Sequence, residues 1–308
     1  MGKYILKRII AGLITLFVLI TVSFFLMRAI PGGPFSPGEY KKTPPEILKR
    51  IEDSYGLNDP LHVQYFRYLK NIARGDLGVS FKRLDSSVNS LIAHGFPVSA
   101  KVGAVAVIAS LTAGLTLGIV SAIRRGKLSD MAAMTFATVG VSVPVFVIAV
   151  ILLYIFAYFL RILPTYGLLT WKHYVLPVAC LSFTPVAYIT RQTRSSMLEV
   201  MQQDYIRTAR AKGVSEAGII FKHALRNACI PVVTYLGPLV AALLTGAFVV
   251  ERLFAIPGIG RDYTTSIGDR DYAVILGMTL FFGIFVILCN ILVDIVHVAI
   301  DPRVKLEK

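Results

Sequence analysis

The chain has 308 residues, of which 55% are hydrophobic and only 16% charged, and its mean hydropathy is +0.67. A water-soluble domain carries about a quarter charged residues, so the composition predicts an integral membrane protein. The net charge of +14 is dispersed between apolar runs and forms no compact basic domain, which argues against nucleic acid as a partner.

Gly2 to Arg8 is short and basic, and Ile9 to Met27 is apolar and uncharged. The run is long enough for about 30 Å of hydrocarbon. It is longer than a signal-peptide core and lacks a small-residue cleavage site. Residues 1–30 therefore read as an uncleaved first span with its N-terminus inside. Residues 31–98 turn polar and open with PGGPFSPGEY. Thr43-Pro44-Pro45-Glu46 reads as a capping box with proline at the first helical position, starting a helix that ends near Tyr55 and Gly56. Asp59-Pro60 starts a second helix that ends at Gly75, with Leu61, Tyr65, Leu69 and Ile72 on one face. This predicts a small helical external domain.

Residues 99–300 read as a core of five further spans. The second runs from Val98 to Ile123, with Ala106, Ser110, Gly114, Gly118 and Ala122 recurring every four residues. Small residues at that spacing let helix backbones approach closely. Arg124-Arg125-Gly126-Lys127 is an inside loop. Met131 to Leu160 is a third span, longer than a bilayer requires, with Pro144 as the point for a kink. Trp171, Tyr166 and Tyr174 mark an outside interfacial belt. Val175 to Thr190 is a short fourth span broken by Pro177 and Pro185, with Arg191 and Arg194 at its inner end. Val232 to Val250 is the fifth span, Glu251 to Asp271 an outside polar loop, Tyr272 to Ile300 the sixth span, and 301–308 a basic cytoplasmic tail. The inside segments hold sixteen Lys and Arg against five in the two short outside loops, so six spans with both ends inside satisfy the positive-inside rule.

Between the fourth and fifth spans lies a polar, basic island, Asp204 to Pro231. Asp204 reads as an N-cap, Tyr205 to Lys212 as a helix, Gly213 as a C-terminal turn, and Ser215 as the cap of a second helix from Glu216 to about Ala228. Arg207, Arg210, Lys212, Lys222 and Arg226 carry charge, while Ile206, Ala209, Ile219 and Ile220 supply apolar contacts. Taken alone, the pattern fits either an ordinary topogenic loop or a helix-turn-helix that docks on a soluble partner.

Catalytic motifs are absent. There is no GxxxxGK[ST], HExxH or GxSxG, and Gly258-Ile259-Gly260 lacks the strand and helix of a phosphate cradle. The five histidines are scattered, and Cys180, Cys229 and Cys289 read as small apolar residues of a bundle. No enzyme, cofactor or metal site is expected in this chain. Asp294 is an acid within the sixth span, either a pathway residue or a structural partner for a basic residue of the island. Glu251, at the start of the last loop, is a candidate gate.

RTARAKG at 207–213 followed by HALRNA at 223–228 resembles the EAA loop of ABC-importer permeases. In the general pattern, Glu-Ala-Ala is followed after three residues by Gly; here Arg207 and Thr208 replace the first two. The two motifs are similar to the peptide-importer branch, as are YGLNDPLHVQYFRYL, GDLGVSF and GAFVVERLFAIPGIGR; PGGPF looks most like its oligopeptide members. The resemblance covers nearly the whole chain. It implies an all-α membrane protein of six transmembrane helices with the type I ABC importer permease fold. It makes the island a coupling loop, with Tyr205, Arg207, Thr208, Ala209, Arg210, Lys212, Gly213, Ser215 and Glu216 facing an ATPase. Expected partners are a second homologous permease, two cytoplasmic ATPase subunits that bind the ATP and Mg, an external solute-binding protein and membrane lipid. The expected location is a bacterial or archaeal plasma membrane, and the expected cargo is oligopeptide, with dipeptides, glutathione or nickel chelates as alternatives. A channel or secondary transporter working without ATP is the reading from a different class; it calls for paired broken helices or ionisable residues at mid-membrane. An intramembrane enzyme calls for a cluster of His, Asp or Ser within the spans, which the sequence lacks.

Overall fold

A computed structural model describes residues 2–31, 33–35, 44–83 and 86–300. Thr43 of the expected capping box, most of FSPGEY and the basic tail lie outside the described residues. The fold is helical throughout, with a single isolated bridge, Val79 to Ser87, among the described residues. In order, the helices are α1 (Gly2–Ala29), α2 (Pro45–Ser54), α3 (Leu61–Ala73), α4 (Val88–Ile123), α5 (Leu128–Ser142) and α6 (Val145–Leu152), which widens into a π-helical stretch, Leu153–Phe159. There follow α7 (Lys172–Val200), α8 (Asp204–Ala211), α9 (Glu216–Gly218), a π-helical turn (Ile219–Ala224), α10 (Leu225–Ala228), α11 (Ile230–Leu244), α12 (Phe248–Leu253), α13 (Ile259–Gly268) and α14 (Tyr272–Ile300).

Five stretches among the described residues are long and apolar enough to cross a membrane: Leu6–Ala29, Val88–Ile123, Lys172–Val200, Ile230–Leu253 and Tyr272–Ile295. The expected third span is the sixth only if α5 and α6 are counted together, because the two are bent by 111°. Pro144 has no N–H to donate and drives Val143 out of helical geometry, to φ −89° and ψ 126°. The effect is a break at the residue where sequence placed a kink.

Three other spans differ from expectation. α4 begins ten residues before Val98 and runs for 36 residues. The fourth span is not short and broken: α7 continues for 29 residues through Pro177 and Pro185. It is the most enclosed of the candidate spans, so packing on its neighbours offsets the hydrogen bonds lost at the prolines. The fifth is not one helix: α11 ends at Leu244, and Gly246 takes φ +93° and turns the chain into α12.

The chain divides into two compact units. One comprises Phe96–Gly260 and the part of α14 from Phe285 onward. Its core joins Val102 and Ala106 of α4, Ile148 of α6, Leu176, Cys180 and Ile189 of α7, Leu239 of α11, and Phe254 and Ile256 beyond α12. The four-residue repeat of small side chains is the α4 packing face. A Cβ on Gly118 would lie 2.6 Å from Thr193 Cβ and 2.8 Å from the Thr190 carbonyl, and one on Gly103 would meet the Leu243 carbonyl. The other unit comprises Gly2–Gly95 and Arg261–Ile284. There Phe24 of α1 packs against Tyr65 and Tyr68 of α3, and Thr21 Oγ1 lies 2.7 Å from the Tyr65 hydroxyl. Asp271, just before α14, accepts hydrogen bonds from Ser80 Oγ at 2.5 Å and Phe81 N at 3.1 Å. This pins the turn that follows α3 to the start of α14.

Candidate functional site

α8 is amphipathic in the strict sense that two of its residues face inward and the rest do not. Ile206 is fully buried and Ala209 nearly so, while Tyr205, Arg207, Thr208 and Arg210 are exposed. The inward pair joins Ile219, Ala224 and Ala228 of the following helices, Met197 near the end of α7, and Ala122 near the end of α4 in one apolar cluster. Both sequence motifs of the island therefore meet: RTARAKG contributes Ala209, and HALRNA contributes Ala224 and Ala228. Asn227 Nδ2 also donates to the Tyr205 hydroxyl at 2.8 Å.

The turn between them has a defined form. Gly213 N donates to the Arg210 carbonyl and Val214 N to the Ala209 carbonyl, a paired pattern that closes a helix C-terminus around a left-handed residue. Gly213 is that residue, with φ +74°, and a Cβ there would meet nothing within 4 Å. The requirement for glycine is thus one of backbone conformation alone. Ser215 Oγ accepts from Gly218 N at 3.2 Å, as its place before α9 leads one to expect. Asp204 is not the cap of α8. Gln203 occupies that position in extended geometry and Asp204 is the first helical residue, where its charge favours the helix dipole. Across the turn, Arg210 grips Glu216 with two bonds of 2.8 and 3.3 Å and holds its carboxyl below the usual glutamate range. Lys212 caps the C-terminus of α8 and is exposed.

Sequence reading missed the ion pair in this unit. Asp130, in the first turn of α5, is 4% exposed. Arg194 of α7 reaches it through Nε at 2.6 Å and Nη2 at 2.8 Å. Ser121 Oγ of α4 at 2.5 Å and Gly126 N at 2.9 Å complete its shell. One carboxylate therefore ties α4, the basic turn, α5 and α7 together, next to the Ala122 and Met197 cluster that holds α8. The available signal was an acid heading an apolar run immediately after a basic turn, because such a group needs a partner.

Glu251 does not line an open path in this conformation. It is 4% exposed, accepts from Ser99 Oγ of α4 at 2.5 Å, and is enclosed by backbone. Ile259 N donates to the same Ser99 oxygen at 3.0 Å. A Cβ on Gly246 or Gly258 would lie within 2.6 Å of its carboxyl atoms. The glycines of the GAFVVERLFAIPGIGR segment thus form a cradle for a carboxylate of the same chain. Asp294 is half-buried on α14, one turn after Asn290, which packs with Val293 against Gly237 of α11.

Residues 114–306 match the family described as Binding-protein-dependent transport system inner membrane component, and residues 1–103 match its N-terminal counterpart. The chain is 47% identical to the dipeptide transport system permease protein DppB of Bacillus subtilis, covering 100% of this chain and 99% of that one. It is 46% identical to the oligopeptide transport system permease protein OppB of Haemophilus influenzae, covering 99% and 100%. Among solved structures, the inward-facing MetNI methionine ABC transporter matches with a TM-score of 0.54 at 16% identity, over 68% of this chain and 96% of that one; this shows a shared fold. With full-length relatives at this identity and both family regions present, the chain belongs to the inner-membrane components of binding-protein-dependent transport systems.

Proposed function

We propose that α8 and the helices after it form the surface through which an ATPase drives this permease subunit of an oligopeptide/dipeptide ABC importer. The observation that carries the reading is the division of α8. Ile206 and Ala209 are locked into the cluster at the ends of α4 and α7, while Tyr205, Arg207, Thr208 and Arg210 stay exposed on its other faces. A push on the exposed face is delivered to two long helices through a packed core, and packed cores move as units. The Arg194–Asp130 joint carries it on to α5.

A binding-protein-dependent system implies an ATPase, a permease and a binding protein as partners. The assembly proposed here has two ATPase subunits on the cytoplasmic face, each on one permease's coupling helix, and a second homologous permease that completes the pathway. The ATPases hold ATP and Mg. The chain is a multi-pass protein of the bacterial plasma membrane with both termini cytoplasmic, and residues 31–98 face the solute-binding protein. Dipeptide and oligopeptide relatives match at 47% and 46%, so peptide is the cargo class; the PGGPF segment favours oligopeptides.

The test is reconstitution with the partner subunits. Gly213→Pro cannot adopt φ +74°, since proline is confined near −65°. That variant, and Arg207→Glu combined with Arg210→Glu, are expected to lose peptide uptake at least tenfold while the purified permease remains folded. Uptake surviving in both, or transport by the single chain in vesicles without ATPases, would overturn the assignment.

A further inference from the structure

The unit formed by Gly2–Gly95 and Arg261–Ile284 contains a cavity of about 500 Å³, within the range of small-molecule sites. Arg28 and Phe24 of α1, Gln64 and Tyr68 of α3, and Tyr272 and Leu276 of α14 line it. Each of these three pairs is four residues apart on its helix and so shares a face. Four of their polar atoms, Arg28 Nε, Gln64 Oε1, Tyr68 Oη and Tyr272 Oη, are buried and have no hydrogen-bond partner among the described residues. Buried polar groups are nearly always paired, so a cluster of four calls for an explanation.

The chemistry of the four is specific. Arg28 offers a cation. Its guanidinium carbon lies over the rings of Phe24 at 5.5 Å and Tyr272 at 5.7 Å, contacts that position it without satisfying its donors. The other arginine lining the cavity, Arg67, is already bonded to Asp59 at 2.5 Å. Burial pushes the Tyr68 phenol well above its ordinary pKa, so it stays a neutral donor. Gln64 contributes an acceptor. Its amide nitrogen donates to the Leu57 and Asp59 carbonyls at 2.8 and 2.7 Å, which fixes the amide orientation and leaves the oxygen as the unused atom. Gln64 is 7% exposed and Tyr272 3%. Asp76 also lines the cavity, its Oδ1 accepting from Gly78 N at 2.9 Å; the complement to the four unpaired groups is a single-charged oxyanion next to an N–H group, with an apolar portion to cover the aromatic wall.

We propose that this cavity binds the carboxyl end of a short peptide, with the carboxylate on Arg28 and the two phenols and the last amide N–H on Gln64 Oε1. The proposal rests on peptide being the cargo, and it adds a site on the permease chain itself. The test uses the full-length permease in lipid nanodiscs and calorimetric titration with Ala-Ala-Phe and with the same tripeptide amidated at its C-terminus. The acid is expected to bind saturably and the amide at least tenfold more weakly. Arg28→Gln should cost the acid at least tenfold and Tyr272→Phe, which removes one oxygen, at least threefold, with Arg28→Lys recovering part of the loss; thermal midpoints confirm that each variant is folded. No saturable binding, equal affinity for acid and amide, indifference to both variants, or equally strong competition by inorganic phosphate would overturn it. Uptake by the reconstituted importer, measured in parallel, separates the two readings: uptake without acid-selective binding rejects the cavity and spares the importer.

Discussion

Asp130 and Arg28 are both charged groups withdrawn from water, and the chain treats them in opposite ways. Asp130 has four hydrogen bonds from three directions, two of them from one arginine. Arg28 has aromatic rings around it, and its buried Nε has no hydrogen bond among the described residues. The first is a completed joint, in which geometry and charge are matched within the chain. The second is open among the described residues, and the proposed peptide site rests on that. Satisfied groups hold helices in register; unsatisfied ones mark where the molecule meets something else.

The largest expected effect tests the joint. Arg194→Ala strands the Asp130 carboxylate and should destabilise the permease by about 3 kcal/mol or more, because breaking one side of a buried pair leaves a charge uncompensated. Thermal unfolding in detergent measures this. Replacing both partners, as Asp130→Leu with Arg194→Met, should recover most of the loss. If the double variant is as unstable as the single one, the pair is not the joint described. A smaller effect is expected at the open site. Arg28→Met strands nothing and forfeits only the two ring contacts, so its unfolding midpoint should correspond to a change within about 1 kcal/mol. A loss as large as that of Arg194→Ala would erase the contrast between the two regions.

The smallest effect concerns the exposed Arg210–Glu216 pair. The folded-state pKa of Glu216 is held below its unfolded value by the Arg210 bonds. The pair's contribution is therefore fully present above the unfolded glutamate range and disappears as pH falls through the depressed folded value. Exposed pairs are weak, so Glu216→Gln should leave the thermal midpoint at neutral pH almost unchanged and flatten its response to acid. An unaltered acid response would show that the pair holds nothing.

What sequence made legible was mainly local and periodic. Gly213, Ser215, Gly56 and Gly75 sit where their backbone or capping preferences place them. The four-residue repeat of α4 does pack closely, and the RTARAKG and HALRNA motifs share one core. What escaped was set by partners distant in the chain. Pro144 announced a disturbance but not a 111° bend, since the angle depends on what the two arms pack against. Pro177 and Pro185 looked like breaks, and tertiary packing overrode them. Asp130 drew no notice because Arg194 is 64 residues away. Glu251 read as a candidate gate because the glycines that enclose it look, one at a time, like turns.

The continuity of α7 has a mechanical consequence. Its 29 residues span about 43 Å at 1.5 Å per residue, comparable with a whole bilayer including headgroups. One end reaches α8 through Met197, and the other begins beside Trp171. A rod of that length needs no chain of intermediate shifts to carry a signal. A tilt of about 10° about one end displaces the other by roughly 7 Å, a distance on the scale of a peptide's own width.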